Sequence, residues 1–102
     1  MIKITTTNLL YKNNTCINGY NTIYKIDLIS NFNHVIAMIK SIAKNNIDNC
    51  TYTKLDSIDI IFTNLNQKEL AKKVYDYFNK NDLYGIKINV RLKIVFFTIP
   101  LD

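Results

Sequence analysis

The residues able to do acid–base or covalent chemistry are few and scattered. His34 is the only histidine, and a general base working near neutral pH needs a partner and a pocket that a lone imidazole does not announce. It falls opposite the apolar stripe of a predicted helix, which makes it a solvent-facing residue. Cys16 and Cys50 are far apart and have no companion histidines at ligand spacing. Zinc is therefore not expected, Cys–His catalysis has no local signature, and the two thiols read as free. Asp56 and Asp59, with Asp27 on a neighbouring strand, could gather around a divalent ion, but no glycine-tight ligand loop frames them. They read more simply as outward solubilising residues. Gly19 and Gly85 stand isolated, so no glycine-rich loop exists to cradle a phosphate. The expectation is a chain with no catalytic set, no metal and no cofactor, and one that is not an enzyme.

Stacking chemistry is the other possibility the side chains raise. Tyr11, Tyr20, Tyr24, Tyr52, Tyr75, Tyr77 and Tyr84 could supply platforms for single-stranded nucleic acid. Core or rim packing is the commoner fate of such rings. The final strand shows lysine and asparagine where an RNA-recognition sheet needs aromatic residues.

Charge is more informative than any motif, once its origin is considered. The formal net charge is +5 over 102 residues, which ordinarily points to an anionic partner such as nucleic acid or an acidic protein surface. Yet the chain holds 17 isoleucines, 15 asparagines and 12 lysines against three alanines, two glycines, one proline and one arginine. That profile follows AT-rich coding, as in viruses, phages and low-GC bacteria, and AT-rich codons inflate lysine. Arg91 alone could form the bidentate fork that reads guanine. The charge therefore favours backbone contact or electrostatic steering over sequence-specific reading.

These residues must be positioned by one core, because a chain of 102 residues is too short for two. Alternation of Ile2 and Ile4 with Lys3 and Thr5 predicts a strand, which Leu9 to Tyr11 could extend. Residues 12–19 read as a turn-rich loop, as do residues 45–50. A second strand spans 20–29, with Tyr24, Ile26 and Leu28 facing the core. Phe32, Val35, Ile36, Ile39, Ile42 and Ala43 then recur at helical spacing, and Ser30 or Asn31 stands ready as cap, giving a helix over 32–45. Ile58, Ile60 and Phe62 form the next strand, with Thr51, Tyr52 and Thr53 as possible earlier strand residues. The second helix carries a capping box of Asn66 and Glu69, with Leu65 and Leu70 placed as a hydrophobic staple. Its buried stripe is Leu70, Val74, Tyr77 and Phe78. Ile86, Ile88, Val90, Leu92, Ile94 and Phe96 then fill one face of a single long strand over residues 86–99.

The order ββαβαβ suits an α+β two-layer sandwich, with two helices packed on one face of a four- or five-stranded mixed sheet. Polar residues at alternate strand positions leave the other face open. Counting a strand at 51–55 would instead give the ferredoxin-like order βαββαβ. The longest apolar runs are a handful of residues, so no membrane span is expected, and the first residues lack the features of a secretory leader, which points to the cytoplasm.

On the last strand the outward face changes from basic at Lys87, Arg91 and Lys93 to apolar at Val95, Phe97 and Ile99. That combination fits an interface with an anchor and a polar rim. The leading expectation is a single-domain binding protein that uses these six residues to dock on a protein or ribonucleoprotein with an acidic surface. A viral or phage inhibitor of a host defence factor is one form of it. The alternative is non-specific nucleic-acid binding through Lys3, Lys25, Lys87, Arg91 and Lys93. Homodimerisation through the final strand is compatible with either.

Overall fold

The alternating pattern at the start of the chain becomes the centre of the sheet. A computed structural model describes residues 2–12, 15–27, 30–48, 53–94 and 97–99, with side chains placed for 2–7, 22–27, 30–47 and 55–93. Strand β1 (Ile2–Lys12) pairs antiparallel with β2 (Thr15–Ile26) on one side and with β3 (Thr53–Phe62) on the other. Beyond β3 lie β4 (Lys87–Ile94), which is parallel to β3, and β5 (Phe97–Ile99), which is antiparallel to β4. The five-stranded mixed sheet has the order β2-β1-β3-β4-β5. Helix α1 (Phe32–Asp48) connects β2 to β3 and packs on β3. Helix α2 (Lys68–Lys80) connects β3 to β4, packs on β4, and also touches α1. The α+β class read from the sequence is thus observed, and the order is ββαβαββ, the expected ββαβαβ with a short fifth strand added. The ferredoxin-like alternative is not observed, since residues 53–62 form one continuous strand beside β1.

Four local expectations are corrected. Residues 15–19, predicted as part of a loop, lie in β2: Lys12 pairs with Thr15 and Asn8 with Gly19, so β1 and β2 form one long hairpin, in which β-branched and aromatic residues outweigh the turn-forming asparagines. Helix α1 continues to Asp48, through the first part of the loop predicted at 45–50, helped by Asn46 donating its side-chain amide to the Ile42 carbonyl at 2.8 Å. The capping box is absent. Asn64 caps a short 3-10 turn over Leu65–Gln67 by accepting from the Asn66 amide, and α2 begins only at Lys68. Leu65 is 59% exposed, so it staples nothing. Finally, the run 86–99 holds two strands, β4 and β5, in place of one: Ile94 pairs with Phe97 and Leu92 with Ile99. Leu28, Thr51, Tyr52, Val95 and Phe96 lie outside the described residues.

The core sits between the sheet and the helices. Ile2 and Ile4 of β1, Ile58, Ile60 and Phe62 of β3, and Val90 and Leu92 of β4 meet Val35, Ile36, Ile39, Ile42 and Ala43 of α1 and Ala71 and Val74 of α2. Each fully buried aliphatic side chain contributes about 1.5–3 kcal/mol relative to exposure. The spacing of the α1 residues keeps them on one stripe, so a charged residue at Ile39 would break the helix–sheet layer. Asn31 Oδ1 accepts from the amides of Asn33 and His34 and so caps α1. At the helix junction Tyr77 meets Phe32 and Phe78 edge-on, while Lys40 Nζ lies 5.4 Å over the Tyr77 ring.

One irregularity shapes the sheet. Thr7 pairs with Ser57 but Asn8 with Leu55, and Thr7 pairs with Asn21 but Asn8 with Gly19. Both neighbours of β1 therefore carry one extra residue, Asp56 on β3 and Tyr20 on β2, at the same height. Paired bulges bend and twist a sheet locally.

Candidate functional site

Residues of odd number near the start of β1 point away from the helices, and register carries that face across the sheet. Lys3 pairs with Lys25 on β2 and with Ile61 on β3, and Ile61 pairs with Arg91 on β4. One cross-sheet row therefore reads Lys25, Lys3, Ile61, Arg91. With neighbouring strands about 4.8 Å apart, the two lysines are adjacent at the backbone and Arg91 stands about 10 Å beyond Lys3. Lys93 is the next outward position on β4, about 7 Å along the strand from Arg91, and Lys87 lies about 13 Å in the other direction. Lys25, Lys87, Arg91 and Lys93 are exposed and Lys3 is half-buried.

The neighbouring row is Ile23, Thr5, Asp59, Asn89. Asp59 is the only acid at an outward position of these rows, and its Oδ1 accepts from Asn89 Nδ2 at 2.8 Å. That bond holds the carboxylate against its own strand neighbour, leaving the cations around it without a described carboxylate partner. Ile23 is 51% exposed on the same face, and Ile61 is half-buried among the cations. Among the described side chains this face carries five cations, one tethered carboxylate and two apolar residues, and such a set can hold an anionic surface by charge and exclude some water beneath it.

The structure thus brings together all five cations named from the sequence, although those of β4 lie far along the chain from those of β1 and β2. It does not bring the apolar residues to them. Leu92 is buried beneath the helices, and cross-strand partners share a face. Positions 99 and 97, opposite Leu92 and Ile94, therefore belong to the helix-bearing side of the sheet. Val95 lies outside the described residues. Ile23 and Ile61 are apolar members of the open face, among the described side chains, that sequence reasoning missed. Ile61 follows Ile60 directly, and an uninterrupted apolar pair hides which member faces out.

The other sequence candidates do not converge. His34 is exposed at the start of α1. Asp59 lies mid-strand, Asp56 at the bulge and Asp27 past the opposite end of β2, and among the described residues no three His, Cys, Asp or Glu side chains are grouped as metal ligands. Tyr24, Tyr75 and Tyr77 pack against the core, whereas Tyr84 is 58% exposed. On the helix side, Phe32, Lys73, Asp76, Tyr77, Lys80 and Asn81 line an open depression of about 300 Å³. Among the described residues, no helix is long and apolar enough to cross a membrane.

No protein family, curated protein or solved structure matches the chain.

Proposed function

We propose that the chain is a non-enzymatic binding protein whose open sheet face docks on an acidic surface of a partner protein. The observation that carries this reading is the gathering of Lys3, Lys25, Lys87, Arg91 and Lys93 on one face that neither helix covers, where Asp59, the single acid of its two central rows, is already bonded to Asn89. Ile23 and Ile61 supply apolar contact between the cations. Along β4 the open side carries Lys87, Asn89, Arg91 and Lys93, with no ring on which a base could stack, and this favours an acidic protein over a single-stranded nucleic acid. The anchor role first expected of Val95, Phe97 and Ile99 passes to Ile23 and Ile61 in this reading. A cytoplasmic setting and the role of a viral or phage inhibitor of a host defence factor belong to the same proposal and rest on composition.

The test compares labelled poly-glutamate with duplex and single-stranded DNA, titrated with the protein by fluorescence anisotropy at low and moderate salt. The expected result is binding of poly-glutamate that weakens at least about tenfold, a loss of about 1.4 kcal/mol, in the variant Lys3→Glu/Lys25→Glu/Arg91→Glu. Circular dichroism of the variant should be unchanged. Preference for DNA with a steep salt dependence would transfer the face to nucleic-acid backbone binding. Binding to neither polyanion would remove both readings.

A further inference from the structure

The sheet has two outer edges of very different length. At one end stands β5, only Phe97–Ile99. At the other stands β2, Thr15–Ile26, with no strand beyond it among the described residues. A long edge is a row of unpaired backbone donors and acceptors, and natural proteins blunt such edges with lysine, proline or inward charges. The run from Thr15 to Tyr24 carries no charge and no proline, and Lys25 is the one charged residue of the strand. Its one irregularity is the bulge at Tyr20, and the rest of that run presents an uncharged edge.

We infer that β2 pairs antiparallel with β2 of a second copy, joining two sheets into one of ten strands. Three observations favour a copy of the same chain over a foreign strand. First, the neutral run offers no charge by which an acidic partner segment could be chosen. Second, the bulge at Tyr20 inverts the face pattern along β2: position 17 is paired with Leu10 and position 24 with Ile4, on the core side, while position 18 is paired with Leu9 and position 21 with Thr7, on the open side. A two-fold axis between positions 19 and 20 sets 15 opposite 24, 17 opposite 22 and 18 opposite 21, and every such pair then shares a face. Third, that register leaves the two copies of Lys25 at opposite ends of the neutral ladder, so a chain of net charge +5 associates without opposing like charges. The contact is isologous and closes at two copies. Because the axis runs perpendicular to the sheet, both open faces end on the same side, and their cations form one surface.

The oligomeric state decides the matter, measured by size-exclusion chromatography with light scattering from micromolar to near-millimolar concentration. The expected result is a mass of two chains. Asn18→Lys/Asn21→Lys sets lysine opposite lysine across the axis and should return the mass to one chain with the circular dichroism spectrum retained. Mixing it with Asn18→Asp/Asn21→Asp should restore a dimer containing one copy of each, which loss of folding could not produce. A single-chain mass at every concentration would overturn the inference. So would a dimer indifferent to these substitutions, mixed variants that stay monomeric, or masses that grow beyond two chains. None of these outcomes depends on what the open face binds.

Discussion

Thr6 is the one polar residue among the fully buried side chains of the described core, and its Oγ1 has no hydrogen-bond partner among the described residues. A buried hydroxyl left unpaired costs about 1–3 kcal/mol. Valine has nearly the same shape without that penalty, so Thr6→Val is expected to stabilise the protein by about 1 kcal/mol. The measurement is a higher urea midpoint at unchanged slope, and a lowered midpoint would show that the hydroxyl is bonded. Tyr84 shows local strain of a different kind. With φ at 54° it precedes Gly85 at 72°, and the Ile86 amide donates to the Leu83 carbonyl at 2.9 Å. Two successive left-handed residues in a bonded four-residue turn make type I′ geometry, where asparagine or glycine would be expected at the tyrosine position. At this scale the sequence was readable wherever a residue's role was local. The exposure of His34 followed from its place opposite the α1 stripe, and the outward lysines of β4 followed from simple alternation. The vacancy at Thr6 was not readable, because threonine suits an outward strand position equally well.

Among the elements, the helix starts separate true caps from apparent ones. Asn31 accepts two amides at the head of α1, so Asn31→Ala should cost about 1 kcal/mol, whereas Asn66→Ala should cost far less because Asn66 lies inside the 3-10 turn and is exposed. Thermal unfolding of both variants checks this, and equal losses would return the capping role to Asn66. The misplacement has a physical cause: asparagines at positions 64 and 66 can both accept an amide, and only the backbone course decides which does. The division of residues 86–99 was hidden for a related reason. Between Ile94 and Phe97 the sequence offers valine and phenylalanine, with no glycine, proline or asparagine to mark a reversal. Periodicity runs unbroken across the two strands. What it conveyed correctly was the face of each residue in β4, where the cations stand.

For the whole molecule, the element order and the two-layer arrangement were legible because α1 and α2 each present one apolar stripe, while the strands alternate. Strand order was not, since nothing in Ile2–Lys12 announces that it will lie between β2 and β3 rather than at an edge. That order decided the candidate site, for it set Lys3 between Lys25 and Ile61 and drew Arg91 into the same row. It also ranks the strands by resistance to opening. Amides of Ile4, Thr6, Ile58 and Ile60 are expected to exchange with solvent deuterium only through global unfolding, while those of Phe97–Ile99 exchange through local opening of a short outer strand. Equal protection of β5 and β1 would contradict the order.

The central place of β1 has a further consequence in time. During synthesis its pairing with β2 is local and can form as soon as Ile26 has emerged, but Ile2 must wait for Phe62 and Leu10 for Thr53. Until then the β3-facing side of the hairpin is itself an open edge, bearing Ile2 and Ile4 with nothing beneath them. The nascent chain is most exposed to wrong pairing in that interval, and the emergence of β3 is the event that ends it.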